Sequence, residues 1–172
     1  FEAVEQDLGP VSILVNNAGQ TRDNLLMMMS LEEWRSVMNT HLDGAFLCSR
    51  AALRGMLGRK HGRILNIASV SGLKGTAGQT NYSAAKAGLI GFTRALSREM
   101  GKKKITCNAI ALGVIDTEMT QVLPEEVLKA YKDATSLKRF GKSTEVADLV
   151  EFLAGPGSAY MTGQVLTLDG GM

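Results

Sequence analysis

Short apolar runs alternate along the chain with longer segments in which apolar residues recur at helical spacing. Four of these runs have the length of a strand and contain few charged residues: residues 11–15, 64–68, 105–111 and 164–169. Strands that are apolar on both faces are typical of a parallel sheet that helices cover on both sides. The pattern therefore predicts an α/β fold with a doubly wound parallel sheet.

The segments between the runs carry the signals of helices. Ser30 and Glu33 form a capping-box pattern that begins a helical region extending to about residue 59, in two bent pieces. A second long helix is predicted to continue beyond Tyr82 to Met100. Shorter helices are predicted at three further places: residues 1–8, residues from Pro124 onward, and residues 144–153.

Composition limits the class of protein. With 172 residues, of which 45% are hydrophobic, the chain has enough apolar material for one core, so a single domain over residues 1–172 is predicted. The net charge of +2, without a basic tail, argues against a nucleic-acid partner. Cys48 and Cys107 are interpreted as buried small hydrophobes, and no metal site is predicted. No apolar run approaches the roughly 20 residues of a membrane span and no signal-peptide pattern is present, so a cytoplasmic location is expected.

Candidate chemistry is concentrated around one tyrosine. Tyr82 and Lys86 are four residues apart in an alanine-rich helical stretch, so their side chains project from one face. The ammonium is expected to lower the phenol pKa from its usual value near ~10, which makes Tyr82 a candidate proton donor. Ser69 follows the apolar run 64–68, where its hydroxyl can hold a substrate carbonyl. Ser69, Tyr82 and Lys86 are the predicted catalytic residues.

These residues resemble the short-chain dehydrogenase/reductase family. Ser69, Tyr82 thirteen residues later and Lys86 match its pattern, as does Asn-Asn-Ala-Gly at residues 16–19. Within the family, residues 21–26, 78–82 and 116–120 are most similar to the 3-oxoacyl-[acyl-carrier-protein] reductases. The resemblance covers essentially the whole chain. It implies a Rossmann-like fold, a homotetramer, and NADPH-dependent reduction of a 3-oxoacyl thioester bound to acyl carrier protein or coenzyme A in fatty acid synthesis, with NADH as the alternative cofactor.

The resemblance also implies functional positions outside the three catalytic residues. Basic residues matching Lys60 and Lys103 flank the mouth of the site and can meet an acidic carrier protein. Residues 118–140 are interpreted as either a movable substrate lid or an ordinary surface excursion. The last strand is expected at a subunit interface. The residues implied to bind cofactor, beside Tyr82 and Lys86, are Asn16, Ala18, Gly19, Gly113, Ile115 and Thr117.

One candidate catalytic residue departs from the family pattern. His41 stands where the family has an asparagine that holds a water behind the lysine, and Leu112 stands where it usually has proline. If the asparagine acts partly through its main-chain carbonyl, His41 preserves the water site and its imidazole can join the proton relay. The alternative is impaired turnover, and the sequence leaves both open.

Family members begin with a strand and a glycine-rich turn that receives the cofactor pyrophosphate. No such turn after a strand is found in this sequence. We therefore expect the C-terminal part of a longer protein, without its first strands, and expect this part alone to be inactive. Two alternative functions stay open: a short-chain reductase of another carbonyl, such as acetoacetyl-coenzyme A or the ketone of a secondary alcohol, and a non-catalytic partner subunit.

Overall fold

The structure is a computed structural model that describes residues 1–121 and 123–172. Its strands, in chain order, are β1 (Ile13–Asn16), β2 (Gly62–Ser69), β3 (Ile105–Leu112), β4 (Ile115–Asp116), β5 (Gly141–Lys142) and β6 (Val165–Leu168). The main sheet has four strands in the order β1-β2-β3-β6, and every pairing in it is parallel. β4 and β5 form a small separate parallel pair. The predicted α/β fold with a parallel sheet is confirmed.

Helices occupy most of the segments between the strands. They are α1 (Glu2–Leu8), α2 (Leu31–Met38), α3 (Gly44–Arg59), α4 (Ser71–Lys74), α5 (Thr80–Met100), α6 (Glu118–Gln121), α7 (Glu125–Ala134) and α8 (Ser143–Ala154). A π-helical turn, Asn39–Asp43, joins α2 to α3. The helical region before Arg59 therefore consists of two α-helical pieces, as the sequence predicts, and the π-helical turn joins them.

The capping box predicted at Ser30 is present. The Ser30 hydroxyl accepts a hydrogen bond from the Glu33 amide at 3.1 Å, and the Glu33 carboxylate accepts one from the Ser30 amide at 2.7 Å. Together they satisfy two backbone donors that would otherwise lack partners at the start of α2.

Helices cover both faces of the sheet, as expected for strands that are apolar on both sides. On one face, α3 and α5 pack against the sheet through two clusters: Ala52, Met56, Ile64, Leu96, Ile105 and Cys107, and then Ala68, Ile90, Ala109 and Ala111. On the other face, Leu153 of α8 packs against Leu65, Ile67 and Ile110. Successive residues of β2 therefore alternate between two helical layers. The layers bury all eight of its residues.

Hydrogen bonds between polar side chains connect two strands of the sheet to each other and to the helices on one face. The Asn16 amide donates to Asn66 Oδ1 at 2.8 Å, and the Asn66 amide donates to Thr93 Oγ1 at 2.8 Å. Asn16 also donates to Ser49 Oγ at 3.2 Å. These bonds connect β1, β2, α3 and α5, and they favour this register because a slipped strand leaves the buried amides unpaired.

The boundaries of some elements differ from the sequence expectations. β1 begins at Ile13, two residues after the start of the apolar run. Pro124 has an extended ψ of 145°, so it precedes α7 instead of being its first helical residue. Val122, which belongs to the predicted lid, lies outside the described residues. Within residues 1–121 and 123–172, no helix is both long and apolar enough to cross a membrane.

The two-sided core leads to a stability prediction. Leu65 is fully buried against α8, whereas Leu26 is 65% exposed in the loop before α2. We expect Leu65→Ala to lower the free energy of unfolding by about 2–5 kcal/mol, because it leaves a cavity that rigid neighbours do not fill. The matched control, Leu26→Ala, should change it by less than about 0.5 kcal/mol. Urea unfolding of both variants measures the difference, and equal effects would contradict the assigned core.

Candidate active site

Three polar side chains meet at the carboxyl edge of the main sheet. Ser69 is the last residue of β2, and Tyr82 and Lys86 lie one helical turn apart on α5. The Lys86 ammonium nitrogen is 5.5 Å from the centroid of the Tyr82 ring. The carboxyl ends of parallel strands are the usual location of ligand sites in open α/β sheets. The arrangement brings two hydroxyl groups and one buried amine to a single place.

Close packing of α4 on α5 brings Ser69 to this place. A Cβ atom added to Gly72 would lie 2.7 Å from the Lys86 carbonyl carbon, so only glycine permits the observed approach. The Ser71 amide donates to Ser69 Oγ at 3.1 Å. Because this oxygen accepts from the backbone, the Ser69 hydroxyl proton is free to point toward a substrate.

The pKa of Tyr82 differs from the sequence expectation. Burial raises the pKa of the phenol above its usual value, and the negative charge of Asp23 adds to this effect. The neighbouring Ser69 hydroxyl opposes the rise, because a hydroxyl that donates to the phenolate stabilises it. The expected lowering by Lys86 is therefore wrong for this structure, where burial has the largest effect. Tyr82 stays protonated at neutral pH, which is the form that donates a proton.

Lys86 is buried, with 4% of its surface exposed. Its ammonium donates to the Ile67 carbonyl at 2.5 Å, which connects α5 to β2 two residues before Ser69. Burial lowers the pKa of Lys86 to about 8. The amine thus titrates near neutrality, which suits a group placed beside a proton donor.

The start of α5 is held by residues that the sequence analysis missed. Asn81 is fully buried; its amide donates to the Arg22 carbonyl at 2.9 Å and its oxygen accepts from the Tyr82 backbone at 2.7 Å. Gln79 donates to the Asp23 carboxylate at 2.8 Å. These bonds attach residues 22–23 to the helix that carries Tyr82. An asparagine beside the catalytic candidate was the available signal, but its partner lies 59 residues away.

His41 lies in the π-helical turn and contacts Tyr82. The two rings are 5.2 Å apart between centroids and nearly perpendicular, at 85°. His41 Nε2 is 2.8 Å from the Gln20 carbonyl oxygen and 3.2 Å from the Gln20 amide nitrogen. Burial lowers the pKa of His41, the charge of Lys86 lowers it further, and the hydrogen bond to Gln20 opposes both.

The predicted cofactor residues fall into two groups. Asn16 and Ala18 line a cavity of about 140 Å³ together with His41, Cys48 and Lys86. Gly19 is directly adjacent, because a Cβ atom there would lie 2.5 Å from His41 Cε1. The structure thus brings these three residues beside the catalytic candidates.

The second group, Gly113, Ile115 and Thr117, follows β3 at the same edge of the sheet. Gly113 lacks a side chain where the backbone of Asp169 approaches, since an added Cβ would lie 2.7 Å from Asp169 Cα. Ile115 lines a separate small cavity of about 50 Å³ beside the Arg139–Glu145 ion pair. The Thr117 amide donates to Thr120 Oγ1 at 3.0 Å. Close packing within the chain therefore already accounts for Gly113.

The expected positions of Lys60 and Lys103 are wrong for this chain. Lys60 ends α3 just before β2, and Lys103 precedes β3. Both residues therefore lie at the amino edge of the sheet, while Ser69 lies at the carboxyl edge. An eight-residue strand separates these edges by roughly 25 Å. The two lysines do not flank the mouth of their own chain's site.

No group of three or more His, Cys, Asp or Glu side chains in the described part of the chain has an arrangement that could hold a metal ion.

Comparisons with known proteins match the whole chain. A family model described as enoyl-(acyl carrier protein) reductase matches residues 1–172. The 3-oxoacyl-[acyl-carrier-protein] reductase FabG of Pseudomonas aeruginosa is 53% identical over 172 residues, which are all of this chain and 70% of that protein. The proteins of the same name from Vibrio cholerae and Escherichia coli are 48% and 46% identical over the same shares.

The buried amine leads to a prediction about pH and stability. Because the pKa of Lys86 falls from 10.5 to about 8 on folding, its charge destabilises the folded state fully below about pH 8, and this effect disappears as the pH rises to about 10.5. We expect Lys86→Met to raise the free energy of unfolding at neutral pH by about 1–3 kcal/mol, with a smaller gain in alkali. Denaturant unfolding across this pH range measures it. Exposed Lys102→Met is the control, and a loss of stability in Lys86→Met at neutral pH would contradict the argument.

Proposed function

Because the chain belongs to the short-chain dehydrogenase/reductase family, we propose that it reduces a 3-oxoacyl thioester to the 3-hydroxyacyl thioester in fatty acid synthesis. The acyl group is carried by acyl carrier protein or coenzyme A. The relatives named above carry this reaction in their names. The observation that supports it most directly is that the buried Lys86 ammonium lies 5.5 Å from the centroid of the Tyr82 ring, beside Ser69.

We propose NADPH as the cofactor, with NADH as the alternative. When bound, a nicotinamide supplies the hydride that reduces the carbonyl carbon. The residues present fit such a group, because the cavity beside Lys86 is walled by the small residue Ala18 and offers amine and hydroxyl donors for a ribose. Lys86 and Tyr82 would hold the ribose, and Asn16, Ala18 and Gly19 would line its side of the site. Gly113, Ile115 and Thr117 would meet the carboxamide end.

The three catalytic residues divide the proton chemistry between them. The Ser69 and Tyr82 hydroxyls donate to the substrate carbonyl oxygen, and their combined hydrogen bonds strengthen as negative charge develops there. Tyr82 then gives its proton to that oxygen. The proton is available because burial raises the pKa of the phenol and keeps it protonated at neutral pH. The Lys86 ammonium stabilises the phenolate that forms. Ser69 stays oriented by the Ser71 amide.

We further propose that residues 1–172 carry dinucleotide-binding and catalytic parts of one domain and that the protein works as a homotetramer. β6 occupies one edge of the main sheet, so its outer side is available to a second subunit.

A substrate panel tests the proposed reaction. We expect the full-length protein to oxidise NADPH with acetoacetyl thioesters of acyl carrier protein or coenzyme A at least about tenfold more efficiently, as kcat/KM, than with a free secondary ketone. Crotonyl thioester, which presents a carbon–carbon double bond, should not be reduced. Turnover of crotonyl thioester alone would indicate an enoyl reductase, and no turnover of any member would favour a non-catalytic subunit.

Removing one hydroxyl tests the role of Tyr82. We expect Tyr82→Phe to lower kcat by about 100-fold or more, because the proton donor is lost while the ring stays in place. The NADPH dissociation constant, followed by cofactor fluorescence, should change by less than about threefold. Tyr160→Phe is the matched control, since Tyr160 is fully exposed. Near-normal turnover of Tyr82→Phe would overturn the assignment.

A further inference from the structure

His41 is buried and packs against Tyr82. Its ring is 4% exposed and meets the Tyr82 ring at 85° with 5.2 Å between centroids. A Cβ atom on Gly19 would lie 2.5 Å from His41 Cε1, so the turn after β1 closes directly onto the imidazole. The imidazole therefore fills the space between this turn and the tyrosine.

Gln20 connects the imidazole of His41 to α2 and to the π-helical turn through hydrogen bonds. The Gln20 side-chain amide donates to Ser36 Oγ at 2.9 Å, to the Ser36 carbonyl at 3.1 Å and to Thr40 Oγ1 at 2.7 Å. The Gln20 backbone carbonyl and amide both lie within hydrogen-bond distance of His41 Nε2, at 2.8 Å and 3.2 Å. The shorter contact is with the carbonyl. It favours a neutral ring that donates from Nε2 and leaves Nδ1 as an acceptor.

The surroundings of Nδ1 disfavour a second proton. Nδ1 is buried and has no hydrogen-bond partner among the described residues. The ionisable groups that face His41 from neighbouring elements are Lys86 and Tyr82 of α5 and Cys48 of α3, which line or border the same cavity. Asp43, on the same turn, lies beside the Asn39 side chain. A protonated His41 would thus place a buried cation near the Lys86 ammonium, with no carboxylate of the described residues in contact to balance it.

We propose that neutral His41 is a positioning residue that holds the Tyr82 ring in the orientation in which it donates its proton, and that protonation of His41 in acid inactivates the enzyme reversibly. This proposal rests on the proposed reductase function. His41 does not reach the reacting carbonyl in this role; it acts through the tyrosine ring and through the turn at residues 19–20. The lowered pKa of His41 agrees with this, because the site favours the uncharged imidazole at neutral pH. The inactivation therefore lies below the ordinary histidine pKa of about 6.5.

The pH dependence of turnover in matched variants tests the proposal. The chain has two histidines, and the second, His61, is exposed between α3 and β2. In the full-length protein with saturating NADPH, we expect wild-type kcat to fall as the pH is lowered below about 6.5, with KM nearly constant. His61→Asn should keep this acid limb. His41→Asn and His41→Gln should lose it, and at neutral pH should have a kcat lowered by up to about tenfold because the edge-to-face ring contact is gone.

Circular dichroism at each pH separates this effect from unfolding. An unchanged acid limb in folded His41→Asn or His41→Gln would overturn the proposal. An acid limb in which KM rises while kcat stays constant would also overturn it.

Imidazole ¹⁵N resonances provide a readout that does not depend on turnover. We expect His41 to be an Nε2–H tautomer at neutral pH and its titration to shift the Tyr82 ring signals, with a midpoint that matches the acid limb. Absence of reductase activity at every pH, with these shifts present, would overturn the proposed function but leave the positioning contact supported. A charged His41 at neutral pH, or Tyr82 signals that ignore its titration, would overturn the positioning role itself.

Discussion

The contact between the Lys86 ammonium and the Ile67 carbonyl is the constraint on which the site depends. It places a charged group inside the fold, where desolvation disfavours the charge, and it secures α5 against β2 at the level of Ser69. Gly72 lets α4 approach the Lys86 backbone, and Tyr82 lies one turn earlier on the same helix.

Buried polar side chains occur along the strands as well as at the site, and apolar packing continues along the two faces of the sheet. Asn66 and Asn16 align β1 with β2 through a bond that a slipped register would break, while Leu65 and Ile67 bind the sheet to α8. The core thus provides the rigidity that lets a destabilising buried amine persist. This division is typical of functional sites, where local stability is given up for chemistry.

Much of the fold and the family was predictable from sequence. The apolar runs predicted all four strands of the main sheet, and helical spacing predicted the long helices, because both are periodicities of local backbone geometry. The family resemblance is confirmed by matches across the whole chain. The proximity of the Tyr82 and Lys86 side chains was predictable because the two residues are four positions apart on a helix. Beyond the shifted element boundaries, two expectations about the site were wrong: Lys60 and Lys103 lie at the far edge of the sheet, and burial raises the Tyr82 pKa.

The sequence by itself determined which groups are candidates for chemistry, since residue type and helical spacing are local properties. Only the tertiary structure decided how much water each group loses and which distant residue it meets. Gln20 lies 21 residues from His41, and Asn66 lies 50 residues from Asn16, so no local pattern connects them. Because desolvation and long-range contacts set the energy of a buried charge, the protonation states of Tyr82, Lys86 and His41 depend on the assembled fold.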